Sequence, residues 1–162
     1  MDRRTLLKGT LTVGAFAAAS GLGYRNALAA TPAKIGVIIP MSGPGGMFGP
    51  PCKDCAELAA AEIDRRGGLA GHPIELTFID AGNVPPAEAA QAVLKAWKTQ
   101  HVEAFVGFND SADRLAINGV LRGQVPYIYT SLYEGGECSP GVYVVGETPA
   151  QQLAPVVPWI GK

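Results

Sequence analysis

Three groups of residues in this chain have the types and spacing for chemistry. Cys52-Lys53-Asp54-Cys55 is a Cys-x-x-Cys at the start of an expected helix. The helix dipole and Lys53 would lower a thiol pKa there, which is the chemistry of thiol–disulfide exchange. The aromatic and Gly-Pro surroundings usual at such sites are absent. Cys138 also makes the cysteine count odd, at 3, so inert or structural thiols are the plainer reading. The second group is Ser42-Gly43-Pro44-Gly45-Gly46-Met47-Phe48-Gly49, placed between an expected strand and helix as a dinucleotide fingerprint would be. Its third glycine would have to fall at Phe48 and no nucleotide-binding lysine follows, which leaves a turn whose backbone amides line a ligand rim.

The third group is Tyr127–Pro140. It starts as a buried strand and turns into a loop of aromatics, hydroxyls and acids, Ser131-Leu132-Tyr133-Glu134-Gly135-Gly136-Glu137. In open α/β sheets, ligands sit at the carboxyl ends of the strands. A tyrosine just past a strand end, such as Tyr133, brings an apolar body and a polar tip to a small-ligand pocket. Ser111 could cap a helix, touch a ligand, or both. No Ser-His-Asp set can be assembled around it. Glu134 and Glu137 read as solvated charges, His72 and His101 as surface groups, and Trp97 as core. These residues imply no cofactor, no metal and no catalytic group.

The elements that must position these groups follow from periodicity. Lys34–Pro40 and Ile74–Asp80 read as strands, the first apolar on both faces as a central parallel strand is. Met41–Pro51 reads as loop. Cys52–Arg66 has helical spacing, with Cys52, Ala56, Ala59, Ala60 and Ile63 on one face and Gly67-Gly68 as its stop. Pro85-Pro86 opens a second helix with Ala89, Val93 and Trp97 as its buried stripe. Ala104–Gly107 is a third strand. Ser111–Arg122 is a third helix, capped by Asp110 or Ser111. Val125–Thr130 is a fourth strand, Val142–Val145 a candidate fifth, and a further helix starts at Pro149. Alternation of this kind predicts an α/β fold: a parallel sheet with helices on both faces and a polar rim at Ser42, Asn83, Asn109–Ser111 and Ser131–Glu134.

Residues 1–29 read as a secretory leader. Arg3-Arg4 precede an apolar run from Leu11 to about Leu22, and Ala27-Leu28-Ala29 offers a small-x-small cleavage site. This is the layout of a twin-arginine signal peptide, and the run falls short of the about 20 apolar residues that span a membrane. The implied destination is the bacterial periplasm. Without Arg3, Arg4, Lys8, Arg25 and Asp2, the basic and acidic counts fall from 13 and 14 to 9 and 13. The mature chain is then mildly acidic with no basic stripe, which argues against nucleic acid as a partner. Residues 30–162 suffice for one modest domain.

Taken together, Ile35–Gly43, Glu62–Gly71, Tyr133–Pro140 and Thr148–Gln152 resemble the periplasmic solute-binding proteins of the leucine/isoleucine/valine-binding class. The Tyr-Glu-Gly-x-Glu-x-Ser segment is similar to the urea, short-chain amide and amino-acid branch of ABC-transporter binding proteins. The resemblance runs from about Lys34 to Trp159. It implies a type I periplasmic-binding-protein lobe that binds a small amide, urea-like compound or amino acid and docks on an ABC permease in the inner membrane. It implies ligand contacts at Ser111, Tyr129, Ser131, Tyr133 and Asn109, and Ser42 belongs to the same rim. The family is longer, so residues 30–162 are expected to be its first lobe, with the second lobe absent. The alternatives are a ligand-sensing receptor domain of the same fold and a thiol–disulfide oxidoreductase using Cys52 and Cys55.

Overall fold

The computed structural model describes residues 30–161, and the expected leader lies outside the described residues. Among the described residues there are five parallel strands, each followed by a helix except the fourth, which leads directly to the fifth. They are β1 (Ala33–Ile39), α1 (Gly49–Arg65), β2 (Ile74–Asp80), α2 (Pro86–Gln100), β3 (Ala104–Gly107), α3 (Ser111–Leu121), β4 (Tyr127–Tyr129), β5 (Val142–Val144) and α4 (Pro149–Ile160). The sheet order is β2-β1-β3-β4-β5, every pair parallel. The predicted α/β architecture is therefore present, and the candidate fifth strand pairs with β4. Because β2 lies on one side of β1 and β3 on the other, the chain reverses its winding between β1 and β3. Crevices at such switch points, beyond the strand carboxyl ends, are where open parallel sheets bind ligands.

Alternation along the strands decides which face each residue covers. Ile38, Ile79, Phe105, Tyr127 and Tyr129 pack in one core with Ala89, Ala90, Val93 and Ala96 of α2 and Ile117 and Leu121 of α3. Tyr127 and Tyr129 are two residues apart, so they share this face and both are buried. Only Ile128 between them points the other way. A Cβ at Gly107 would meet the Asn109 side chain and lie 3.0 Å from the Tyr127 hydroxyl, so the glycine keeps that polar corner open.

Two sequence expectations change on the opposite face. Gly46–Phe48 forms a turn of 3₁₀ helix and α1 begins at Gly49, so the segment Met41–Pro51 is not all loop. The physical reason is that Pro50 and Pro51 occupy the first helical turn, where a missing N–H costs nothing. The expected α1 stripe is also only partly covered. Ala60 is buried, whereas Ala59 and Ile63 are exposed. Beside α1, Val37, Ile39 and Val106 border an open apolar crevice of about 530 Å³. Among the described residues, no helix is long and apolar enough to cross a membrane.

Candidate functional site

A cavity of about 650 Å³ opens at the switch point. Each wall is the stretch that follows one strand. After β1 come Pro40, Pro44, Gly45 and Phe48, after β2 Ala81 and Gly82, and after β3 Phe108–Ser111. Tyr129, Ser131, Leu132 and Glu134 close the side at β4. Phe48 and Phe108 meet edge to face with ring centroids 5.7 Å apart, which makes an apolar floor beside the polar groups. An apolar concavity with a few convergent polar groups is the usual form of a small-molecule site.

Of the six residues singled out in the sequence, Asn109, Ser111, Tyr129 and Ser131 line this cavity together, while Ser42 and Tyr133 do not. Ser42 instead belongs to a brace beneath the wall. The Asp80 carboxylate accepts hydrogen bonds from the backbone N–H groups of Met41 and Gly82, each at 2.8 Å, tying the loops after β1 and β2 together. Burial pushes the Asp80 carboxyl up, but the Ser42 hydroxyl and these N–H groups hold it below its ordinary value. A Cβ at Gly82 would collide with the Ser42 carbonyl, so only glycine allows the loops to come this close.

The hydroxyls differ in what they are free to do. Tyr127 donates to Asn109 Oδ1 at 2.9 Å and Tyr129 donates to the Asn109 carbonyl at 2.9 Å. Both tyrosines therefore hold Asn109 in place from below. Ser111 donates to Glu134 Oε2 at 3.0 Å. The Asp110 side chain caps α3 by accepting from the Asp113 N–H at 2.8 Å, which leaves Ser111 as the first helical residue rather than the cap. Ser131 is different: its Oγ is buried and has no hydrogen-bond partner among the described residues. An unsatisfied buried hydroxyl costs about 1–3 kcal/mol, and Ser131 carries this cost as a residue of the cavity wall.

Sequence reasoning missed the group that organises this corner. Arg114 lies one turn beyond Ser111 on α3, with its side chain 6% exposed. Its Nη1 donates to Glu137 Oε2 at 2.9 Å and its Nη2 to Glu134 Oε2 at 3.2 Å. The guanidinium also lies 5.1 Å from the Tyr129 ring centroid and 5.3 Å from that of Tyr133, within cation–π range. Glu137, read from sequence as solvated, is instead a buried partner with a side chain 6% exposed. The correction has a local cause: glycines at 135 and 136, both with positive φ, turn the chain back so that Glu137 reaches α3. Asn118 and the Ser139 N–H complete the set, donating to Glu137 at 3.2 and 2.8 Å. Tyr133 packs over this staple rather than facing the cavity. One signal was available in the sequence: a lone arginine near a helix N-terminus opposes the macrodipole and needs carboxylates to hold it.

Charge states follow from these contacts. Burial raises the Glu137 carboxyl, but the hydrogen bonds from Ser139, the Arg114 charge and Asn118 leave it below its ordinary value. The backbone hydrogen bond at Glu134, the Ser111 hydroxyl and then Arg114 hold Glu134 low as well, against a smaller desolvation cost. Asp113 behaves oppositely: burial, then the Asp110 charge, push it up to about 6.

The thiol reading is corrected in one respect. Cys52 lies in the fourth position of α1 rather than at its start, and Lys53 pairs with Glu57 at 3.6 Å and lies over the Phe78 ring. Burial and then Cys55 raise the Cys52 pKa, the reverse of what an exchange nucleophile needs. Cys52, Cys55 and Cys138 are free thiols. Among the described residues, no cluster of three or more His, Cys, Asp or Glu could hold a metal ion.

With this fold and cavity described, comparison with known proteins gives the family. A profile of the family described as periplasmic binding protein matches residues 32–162. The chain belongs to the periplasmic binding protein family. Among solved structures it is similar to the branched-chain amino acid transporter substrate binding protein LivJ from Streptococcus pneumoniae, solved in complex with isoleucine. That match has 30% identity and a TM-score of 0.55, and covers 61% of this chain and 28% of LivJ. A periplasmic binding protein from Burkholderia mallei matches at 30% identity and a TM-score of 0.52, over 60% of this chain and 26% of its own. A fatty acid ABC transporter substrate-binding protein from Thermomonospora curvata shares the fold at 21% identity and a TM-score of 0.67, over 80% and 33%. The chain spans no more than about a third of the length of these solved structures.

Proposed function

We propose that this chain is the ligand-gripping wall of an extracytoplasmic solute-binding protein that serves an ABC transporter. Its ligand is a small polar molecule: an amide, a urea-like compound or an amino acid. The cavity at the switch point would be one side of an interlobe cleft, and hinge closure onto the ligand would create the form that docks on an inner-membrane permease. Export by the twin-arginine route, read from residues 1–29, would deliver it to the periplasm. The observation that carries this reading is the buried, unpartnered Ser131 hydroxyl on the wall of a roughly polar-rimmed cavity at the strand carboxyl ends. The family match and the LivJ likeness support it.

In this reading Ser111 and Ser131 touch the ligand directly, Tyr129 and Asn109 shape the wall, and Ser42 and Tyr133 stiffen the loops around it. The test is calorimetric titration of the chain with acetamide, urea and isoleucine. At least one is expected to bind, and Ser131→Ala should weaken that binding about tenfold, the cost of one lost hydrogen bond of about 1–1.5 kcal/mol. Thermal unfolding of the variant should stay within a few degrees of the parent. Unchanged affinity in a folded Ser131→Ala protein would remove Ser131 from the site.

A further inference from the structure

We infer that Cys52 and Cys55 form a chelating site for a soft, two-coordinate metal cation of the Cu(I) type, in the apolar crevice beside α1. The inference is independent of the ligand reading, because neither thiol lines the cavity at the switch point.

The helix sets the spacing. Both residues lie inside α1, Cys52 as its fourth residue and Cys55 three residues later. Side chains three apart on a helix leave from the same face, with Cβ atoms about 5–6 Å apart. Both line the crevice of about 530 Å³, together with Val37, Ile39 and Val106 of the sheet. Cys52 is half-buried and Cys55 exposed, so a small ion has a way in from solvent. Burial and then the charge of Cys55 raise the Cys52 pKa, so two bare thiolates would repel across this gap. A cation held between them turns that repulsion into attraction.

The spacing favours a metal over a disulfide. A disulfide holds its Cβ atoms at about 3.5–4.5 Å, so closing one here would have to draw in a regular turn of helix. A bridging ion needs no such movement. With metal–sulfur bonds of about 2.3 Å, as in zinc thiolates, a linear S–metal–S unit sets its sulfurs about 4.6 Å apart. Rotation about χ1 of the two cysteines brings their sulfurs to that separation while the helix stays intact.

The surroundings select the kind of ion. Apart from the thiols, the crevice wall is aliphatic and aromatic except for the Thr130 hydroxyl, which donates to the Gly107 carbonyl at 2.9 Å. Hard cations need several oxygen ligands, and structural zinc takes four donors. Among the described residues, no set of three or more Cys, His, Asp or Glu is available. Two thiolates on an apolar wall instead suit a soft cation that is satisfied by two ligands. Lys53, the neighbouring positive charge, is drawn to Glu57 at 3.6 Å and to the Phe78 ring. In the binding step both S–H bonds break, two metal–sulfur bonds form and two protons pass to solvent; no electron moves.

The test is an anaerobic titration of the reduced full chain with Cu(I) against a chromogenic Cu(I) chelator, with native mass spectrometry of the product. One ion per chain is expected, with the loss of two protons. Cys52→Ser and Cys55→Ser should each weaken binding at least about a hundredfold, because a chelate becomes a single ligand, while Cys138→Ser should stay within about threefold of the parent. Asp54→Cys combined with Cys55→Ser keeps two thiols in α1 but sets them two residues apart on different faces, and should lose as much as the single variants. Zn(II) should bind the parent at least about a hundredfold more weakly than Cu(I). Parental Cu(I) affinity in any variant that lacks the Cys52–Cys55 pair would overturn the site. An equal loss in Cys138→Ser, or Zn(II) binding as tight as Cu(I), would overturn it too.

Discussion

Glu137→Ala is expected to destabilise the fold by about 3–5 kcal/mol, because it strands the Arg114 guanidinium with its principal partner gone in a buried place. Glu137 joins three things: it accepts from Arg114 at 2.9 Å, from Asn118 at 3.2 Å and from the Ser139 N–H at 2.8 Å. Removing it frees the loop after β4 from α3, and with it the wall that carries Ser131 and Glu134. Thermal unfolding at pH 7 measures the effect. The double replacement Arg114→Met with Glu137→Leu should recover most of the loss, since a packed apolar pair replaces a buried ionic one at little net cost. A single variant within about 0.5 kcal/mol of the parent would show that solvent, not burial, holds the pair.

The same contact has a pH signature. Glu137 is held below its ordinary value of 4.5 in the folded state. Its contribution is therefore present above that unfolded value and is lost as pH falls through the lower folded one. Asp113 works in the other direction. Its folded pKa is raised from 3.8 to about 6, so its contribution is greatest below 3.8 and fades as pH rises through about 6.

The second large effect is at Tyr129. Tyr129→Ala should cost about 3–5 kcal/mol, because a ring 1% exposed is lost from the core. Tyr129→Phe should cost about 1–2 kcal/mol, because the Asn109 carbonyl loses its donor while the ring stays. The difference between the two variants separates packing from hydrogen bonding. The Phe variant should also bind ligand nearly as well as the parent, since the hydroxyl is committed to Asn109 rather than offered to the cavity. Unfolding free energies, paired with acetamide titration, check both parts. A Phe variant that keeps its stability but loses binding would make the Tyr129 hydroxyl a ligand contact instead.

The parallel sheet was legible because its strands are short apolar runs separated by helical spacing, and the runs at Ile74–Asp80 and Ala104–Gly107 match the observed strands end to end. The start of α1 was not, because Gly49-Pro50-Pro51 has loop composition yet fits a first helical turn. The rim was legible where strand ends carry polar residues, as at Asn109–Ser111. The direction of each hydroxyl was not, since Ser42 and Ser131 look alike in sequence and differ only in what lies within reach. Ser42 finds Asp80, and Ser131 finds no hydrogen-bond partner among the described residues. The Arg114–Glu137 pair was hidden for a related reason. Its members lie 23 residues apart and meet only because Gly135 and Gly136 reverse the chain.

A shift map of the uniformly labelled chain with acetamide tests the central claim most directly. The largest backbone amide changes are expected at Phe108–Ser111 and Ser131–Glu134, around the cavity at the switch point. Changes centred instead on Cys52, Cys55 and Ala56, at the apolar crevice on the other side of the sheet, would contradict it.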